Sequence, residues 1–154
     1  MVLFREMVST SPKSLKLFLI LSFNASSISL VFNKFIRARD KDLPCISCGR
    51  VKVEWTRGGE WDCGHYRSRG AMMELRFEEL NAHKQCKSCN GGSAKYAKKG
   101  YTVGKEYTER LTARIGEDKV AWLNGPHEPK KYTIEELKEL KKLYQGKLKS
   151  ITRG

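Results

Sequence analysis

The N-terminal part of the chain is mostly apolar. Residues 15 to 23 read LKLFLILSF, and small and polar side chains then interrupt the run. The run is shorter than the ~20 apolar residues that a membrane-spanning helix needs. We therefore expect a packing helix or a poorly ordered extension rather than a membrane anchor. A short helix is predicted over residues 31 to 39, because Val31, Phe35 and Ala38 share one face.

The middle of the chain changes to a strand-like pattern. The stretch VKVEW alternates from residue 51, and a glycine-rich turn follows it, so residues 51 to 66 are predicted to form a hairpin with His65 on or just after its second strand. Residues 74 to 80 predict a helical turn that supplies apolar side chains to the core. A further helix is predicted from the segment CKSC to Lys98.

Helical spacing returns in the C-terminal third. Tyr107, Leu111 and Ile115 repeat at every fourth position and predict a helix that Gly116 ends. A short helix is expected over residues 117 to 123. The sequence Thr133-Ile-Glu-Glu136 then predicts a capping box at the start of a final helix, whose apolar face packs on the rest of the domain. Tyr132 and Leu137 are placed as a hydrophobic staple beside it.

Composition adds a strong positive charge to this picture. The chain has 154 residues, about one domain by length, and 30 Lys and Arg against 17 Asp and Glu give a net charge of +13. Such an excess indicates a polyanionic partner, and nucleic acid is the first candidate. A membrane partner is not expected. The alternative is a charged surface that only maintains solubility.

Four cysteines form two CxxC pairs, Cys45 with Cys48 and Cys86 with Cys89. Four thiolates at this spacing are the ligand set of a closed, structural zinc site. The odd total of five cysteines and the CxxC spacing favour a metal over disulfides, and hence a reducing, cytoplasmic compartment. Cys63 is left over and is interpreted as a small packing residue.

The order of these motifs resembles a known class of enzyme. A first CxxC, an isolated His65, Asn81 five residues before the second CxxC, and Asn90 directly after it resemble the HNH nucleases built on a treble-clef, ββα-metal core. More narrowly, the segments FIRARDKDLPCISCGR, DCGHYRSRG and LRFEELNAHKQCKSCN resemble the NinG (Rap) family of lambdoid phages over residues 35 to 150. The resemblance implies an α+β fold: a zinc-stapled treble-clef core with C-terminal helices.

Composition and this resemblance together divide the chain into three segments. Residues 1 to 34 form a divergent apolar extension, residues 35 to 104 the HNH-like zinc-binding core, and residues 105 to 154 a helical tail. The first segment departs from the family pattern, in which the N-terminal region is longer, charged and carries additional cysteines. We therefore expect a truncated or divergent member.

The resemblance also implies roles for individual residues. His65 matches the general base of the HNH pattern, and a neutral imidazole suits the removal of a proton from water. Asn81 matches the central Asn, which orients the loop and the histidine. Asn90 matches a ligand of a catalytic Mg²⁺ or Mn²⁺, ions that prefer oxygen. Asp62 is a hypothetical second ligand, and a solvent-facing or turn carboxylate is the equal alternative. Many HNH enzymes place Asp or His before the base, where this chain has Gly64.

Basic residues near the predicted active site are candidates for phosphate contacts. Arginine forks after the base suit phosphate geometry, and lysines extend the charge along the chain. His83 is interpreted as a phosphate contact or a packing residue, and His127 as a solvated loop residue. The predicted DNA-binding set is Arg67, Arg69, Lys84, Lys87, Lys95, Lys98 and Lys99.

Two functions of different classes follow from these observations. The first is a metal-dependent endonuclease that cleaves branched recombination intermediates, of the Holliday-junction or D-loop type, in the cytoplasm of a phage host. The branched substrate is implied by the family resemblance alone. The second is a zinc-finger DNA-binding protein without catalysis that assists a partner recombinase. The oligomeric state stays open, and a dimer is compatible with either function.

Overall fold

A long helix, α1 (Pro12–Arg39), begins the part of the chain that the structure describes. This computed structural model describes residues 12 to 53, 59 to 91 and 97 to 153, with the side chains of residues 12 to 25 and 97 to 103 excepted. The helix is continuous across residue 34, where the sequence predicted a segment boundary. No helix in these described ranges is both long and apolar enough to span a membrane.

The described sheet has two antiparallel strands, β1 (Trp61–His65) and β2 (Ala82–Cys86). Trp61 lies opposite Cys86 and His65 opposite Ala82. β1 thus pairs with a strand that follows it, and residues 51 to 53, where the predicted hairpin begins, are not in a strand. Residues 54 to 58, on which part of that prediction falls, lie outside the described ranges.

The connection between the strands holds two short 3₁₀ turns, Met73–Leu75 and Glu79–Asn81. Leu75 and Phe77 are buried here, which confirms the predicted helical turn. After β2 comes a single helical turn, α2 (Lys87–Asn90). It begins where the sequence predicted a helix, and the continuation to Lys98 crosses residues 92 to 96, which are outside the described ranges.

Three helices follow in the described part of the chain: α3 (Ala97–Ile115), α4 (Glu117–Asn124) and α5 (Ile134–Arg153). Gly116 separates the first two with a φ of 91°, a conformation that favours glycine. The capping box at α5 is confirmed, because Glu136 N–H donates to Thr133 Oγ1 at 3.2 Å and Thr133 N–H donates to Glu136 Oε2 at 2.8 Å.

Two apolar cores hold these elements together. The first joins α1 to α5 and includes Ile28, Phe32 and Tyr144, with Tyr132 and Leu137 also in it. The second is formed around Ile46 and the buried faces of α3 and α4, with the members Leu75, Tyr107, Leu111, Val120 and Leu123. Since Ile28 and Phe32 precede residue 35, α1 belongs to the same packed unit as the sheet.

A buried carboxylate, Asp40, connects the end of α1 to β2 and α3. It is 2% exposed, accepts a hydrogen bond from Arg39 Nε at 2.7 Å, and accepts another from the backbone N–H of Lys84 at 2.9 Å. His83 and Arg114 lie 3.6 and 3.7 Å from its Oδ2. Burial alone would raise the pKa of Asp40, but the interactions with His83 and Arg39 outweigh it and hold the pKa well below its usual range.

Replacing Asp40 with Ala should therefore unfold the protein more easily. The substitution removes the carboxylate that Arg39 and Arg114 pair with, and it leaves the buried N–H of Lys84 without its acceptor. Breaking a buried ion pair in this way costs roughly 3–5 kcal/mol. Urea unfolding of the zinc-loaded protein measures the change. Asp42→Ala is the matched control, because Asp42 is exposed and should alter the free energy of unfolding by no more than about 0.5 kcal/mol. Equal destabilisation of the two variants would contradict the structural role of Asp40.

Candidate zinc and nucleic-acid site

The four cysteines of the two CxxC pairs meet in one cluster. The sulfurs of Cys45, Cys48, Cys86 and Cys89 all lie within 4.8 Å of one another, and Cys48 Sγ is 3.7 Å from Cys86 Sγ. Ligands about 2.3 Å from a tetrahedral zinc ion are separated by about 3.8 Å. The donor set and its spacing therefore fit one metal ion such as zinc.

Local backbone geometry turns each pair towards the cluster. Gly49 N–H donates to Cys45 O at 2.9 Å, and Gly49 has a φ of 70°. A side chain at this position would also meet the guanidinium of Arg110 at 2.8 Å. The second pair begins at the end of β2, where Cys86 N–H donates to Cys45 Sγ at 3.3 Å. The turn that carries Cys45 and Cys48 is thereby joined to the sheet.

The thiol environment also suits a cation. Burial and the neighbouring Cys86 raise the pKa of Cys89 far above its usual range. For Cys86, burial is outweighed by hydrogen bonds from Ser88 and from the backbone of Cys89, which lower its pKa to about 7. Coordination to a divalent ion removes thiol protons, so the cluster favours a bound metal.

Asp62 and Asn90 lie together beside this cluster. Asn90 Nδ2 donates to Asp62 Oδ2 at 3.1 Å, and Lys87 Nζ donates to Asp62 Oδ1 at 2.9 Å. Asn90 is exposed and Asp62 is partly exposed. The two residues that the sequence named as ligands of a catalytic cation are thus in contact, through the amide nitrogen of Asn90. Oxygen ligands of this kind suit Mg²⁺ or Mn²⁺.

Gly64 stands where many HNH enzymes carry Asp or His, and the structure gives a packing reason for it. A Cβ at this position would lie 2.1 Å from Gln85 Oε1. Gln85 is buried and donates from Nε2 to Ser47 Oγ at 2.6 Å. Since this hydrogen bond fixes Gln85 above the strand, a longer side chain at residue 64 would have to displace it.

Asn81 locks the loop that follows β1. The side chain is fully buried, and its Oδ1 accepts from Arg67 N–H at 2.7 Å while its Nδ2 donates to Arg67 O and Leu75 O. Three hydrogen bonds from one amide hold two parts of the loop together. This geometry suits an orienting residue, as the sequence predicted; a part in catalysis stays a prediction.

His65 ends β1 and is held on the inner side of the domain. Its Nε2 donates to Arg76 O at 3.0 Å, and its ring centroid is 6.0 Å from that of Phe32. Burial lowers the pKa of His65 to about 4, against the opposing effect of the carbonyl of Arg76. The imidazole is therefore neutral at neutral pH.

Strand geometry separates His65 from the Asp62–Asn90 pair. Successive side chains of a strand point to opposite faces, so Asp62 leaves β1 on one face and Cys63 and His65 on the other. Cys63 packs against the first apolar core, as the packing interpretation predicted, and burial raises its pKa to about 12. The structure brings together the two predicted ligands of the catalytic metal and places the predicted base on the opposite face of the strand.

The predicted DNA contacts differ in their availability. Arg69 is exposed, Arg67 donates to Asn124 Oδ1 at 3.4 Å, and Lys87 is engaged by Asp62. Lys84 requires a correction: it is only 4% exposed, and its Nζ donates to Lys41 O at 2.8 Å above the ring of Trp61. Lys95 lies outside the described residues, and for Lys98 and Lys99 only the position in the first turn of α3 is described.

The other two histidines are not part of an open site. His83 is 3% exposed, its Nε2 donates to Leu80 O at 3.1 Å, and Arg39 donates to its Nδ1 at 3.2 Å. Of the two roles considered for it, the structure supports packing. His127 packs edge-on against Trp122 and is partly buried, so it is not the solvated side chain expected. The sequence reasoning did not identify the buried ion network around Asp40, because no spacing rule connects residues 39, 40, 83 and 114.

The fold and this cluster define a mixed helix and sheet protein with four cysteines able to hold a metal. Comparison with known proteins then gives the family: residues 21–154 match the family described as "Bacteriophage Lambda NinG protein". The chain belongs to the NinG family, as the sequence motifs indicated.

Individual relatives agree with this assignment. The chain is 44% identical over 119 residues to "Protein ninG" of Escherichia phage lambda, which covers 77% of this chain and 52% of the relative. It is 43% identical to "Protein ninG" of Escherichia phage 933W, with 77% and 53% covered, and 44% identical to that of Salmonella phage P22, with the same coverage. The chain therefore spans about half the length of these curated relatives. No solved structure matches it.

Zinc binding should depend on the clustered cysteines and not on Cys63. Wild-type protein should contain one zinc per chain, whereas Cys86→Ser should lose the metal and unfold, because zinc binding contributes on the order of 10–16 kcal/mol to folding in zinc-finger peptides. Cys63→Ala should keep its zinc, since Cys63 is outside the cluster. Elemental analysis and circular dichroism measure both effects. A folded wild-type protein without zinc, or a native disulfide within either CxxC pair, would contradict the assignment.

His65 should remain neutral, with its proton on Nε2, even at pH values well below the ordinary pKa of histidine. Long-range ¹H–¹⁵N NMR spectra of the zinc-loaded protein should show one unchanged tautomer for His65 from pH 8 to about pH 5.5, while in urea the imidazoles titrate near about 6.5. Because the unfolded chain then binds more protons than the folded one, the free energy of unfolding should fall as the pH falls from about 6.5 towards 4. Titration of folded His65 near 6.5 would show that the ring is solvated.

Proposed function

We propose that this chain is a metal-dependent DNA endonuclease of the HNH type, built on a zinc-stapled ββα-metal core. The observation that carries the proposal is the meeting of Asp62 and Asn90 beside the four-cysteine cluster. Two oxygen-bearing side chains from β1 and α2, 28 residues apart in sequence, share one hydrogen bond at a partly exposed position. The order expected of this core is a pair of strands followed by a helical turn. The helical turn carries the last residue of the HNH pattern, which is Asn90 here.

The chemistry needed is phosphodiester hydrolysis. Asp62 and Asn90 would hold Mg²⁺ or Mn²⁺, which would offset the negative charge that develops on the phosphate. His65 would accept the proton of the attacking water, for which its neutral state is required. Because Nε2 donates to Arg76 O, the lone pair available for this step is on Nδ1, unless the ring turns when DNA binds. Arg67 and Arg69 lie on the loop that Asn81 fixes, and they would contact phosphates of the DNA.

The substrate proposed is branched recombination DNA, of the Holliday-junction or D-loop type. The net charge of +13 supports binding to a phosphate backbone, and membership of the NinG family supports a place in phage recombination. The preference for a branch rests on the family resemblance. Since the relatives are about twice as long as the matched region, this activity is proposed for the present chain and not transferred from them.

A second function is favoured by the position of His65. The ring is packed against Phe32, hydrogen-bonded to a backbone carbonyl, and on the strand face opposite Asp62. A histidine held in this way stabilises a fold without acting on a water molecule. The alternative is therefore a zinc-stapled DNA-binding protein that positions a partner recombinase and cleaves nothing.

Direct assays separate the two functions. Zinc-loaded protein is incubated with a four-way junction, a linear duplex and a single strand, each with EDTA, Mg²⁺ or Mn²⁺. An endonuclease should cleave the junction only when the divalent ion is present. Tight junction binding without cleavage under every metal would support the DNA-binding alternative.

If cleavage occurs, substitutions should separate the roles of the site residues. His65→Ala should reduce the rate by ~10²–10⁴-fold, the usual cost of losing a general base, with zinc content and DNA affinity nearly unchanged. Asn90→Ala should raise the Mg²⁺ concentration needed for half-maximal rate. His127→Ala is the control. His127 is a loop residue that contacts Trp122, so this variant should cleave at the wild-type rate. The same modest loss in the His65 and His127 variants would remove His65 from the mechanism.

A further inference from the structure

The C-terminal helix α5 carries a row of four exposed cations along one side. They are Lys138, Lys142, Lys149 and Arg153, and we refer to them as the cationic row. At 100° per residue they fall within an arc of about 60°, and at a rise of 1.5 Å per residue they extend over about 22 Å. The row therefore runs parallel to the helix axis for most of its length.

Packing of the opposite side determines where the row points. Leu137 and Tyr144 are buried in the first apolar core, and Leu148 and Ile151 pack against that core. These residues lie on the side of α5 that faces α1. Since the cationic row is on the other side of the helix, it faces solvent along its whole length.

The row is not paired with carboxylates. Within the described residues, none of its four members forms an ion pair, whereas Lys147 pairs with Glu79 and Lys130 with Glu136. Exposed Glu135 and Glu139 flank Lys138 in the first turns of α5. Residues 140 to 153, which carry the other three cations of the row, contain no Asp or Glu. A solubilising surface normally mixes both signs of charge, so an unpaired row of one sign indicates an anionic ligand.

A nucleic-acid backbone matches this row better than a lipid surface does. Phosphates follow one another by about 3.4 Å along the axis for each strand of a duplex, so about 22 Å covers roughly six of them. A helix that lies on a membrane needs an apolar face to insert, and the main apolar face of α5 is covered by α1. The exposed Leu143 is about 110° around the helix from the centre of the row.

We infer that the outward side of α5 is a second DNA-binding surface, which contacts backbone phosphates through the cationic row and is separate from the loop after β1. This inference rests on the proposed function insofar as that function includes DNA binding. It requires no cleavage. Contacts to phosphates carry no sequence information, so this surface would contribute affinity for DNA of any sequence.

The test compares two double variants that remove the same charge. Lys142→Gln with Lys149→Gln removes half of the row, and Lys119→Gln with Lys131→Gln removes two exposed lysines elsewhere. Glutamine retains helix propensity close to that of lysine, and circular dichroism checks the fold. Fluorescence anisotropy measures the affinity of zinc-loaded protein for a labelled 30-base-pair duplex over a range of NaCl concentrations.

The expected result is a change in salt dependence for the row variant alone. Its slope of log affinity against log salt should become shallower by about 1.8, because each phosphate that the protein no longer neutralises accounts for about 0.9. The control double variant should keep a slope close to that of the wild type. Lys138→Gln with Arg153→Gln should repeat the effect of the first pair.

Four results would overturn the inference. Equal slopes for the row variant and the wild type, or equal reductions in the row and control variants, would reject the surface while leaving DNA binding by the rest of the protein intact. Unchanged DNA binding together with abolished binding to phosphatidylserine vesicles would assign the row to lipid. Absence of DNA binding by the wild type would reject the proposed function and this inference together.

Discussion

The convergence of four cysteine sulfurs is the constraint on which the rest of the structure depends. The described sheet has only two strands of five residues each, and a sheet of this size is not stable alone in water. The cysteine cluster joins the turn after α1 to the end of β2. Backbone hydrogen bonds, such as the one from Ile46 N–H to Lys84 O, connect the same two segments. A metal at this point would close a chain segment of more than 40 residues.

The second support is the buried ion network at the end of α1. Asp40 receives hydrogen bonds from a helix residue and from the backbone of β2, and Arg114 of α3 lies nearby. Burying a charge is costly unless it is paired and hydrogen-bonded. Burial of the Asp40 carboxylate therefore requires all of these partners to be in place. The network therefore favours one arrangement of α1, β2 and α3, in addition to what the two apolar cores contribute.

The alternation of side chains along β1 gives the sheet an inner and an outer face. Cys63 and His65 face the packed interior, where Phe32 lies. Asp62 leaves the strand on the opposite face and reaches Asn90 and Lys87 at the rim. The same five-residue strand thus contributes both to the core and to the candidate metal site. In the proposed enzyme, movement of His65 on DNA binding would have to bring the base and the metal ligands into one site.

Several features of the protein were determined by the sequence alone, because they depend on local spacing. The two CxxC pairs predicted a four-thiol cluster, the capping box predicted the start of α5, and the periodic apolar residues of α3 predicted its buried side. Family membership also followed from ordered motifs. Each of these signals involves residues within a few positions of one another or identical residue types in a fixed order, so no knowledge of long-range contacts was needed.

Other features were decided by the tertiary structure. Alternation predicts a strand without naming its partner, and the structure pairs β1 with a strand 21 residues along the chain. The charge of Lys84 suggested a phosphate contact, yet packing beside Trp61 buries it. Gly64 is required by the side chain of Gln85, and Asp40 acquires its partners from three elements. Burial and long-range pairing arise only when distant segments pack together, and for that reason the three-dimensional arrangement decided them.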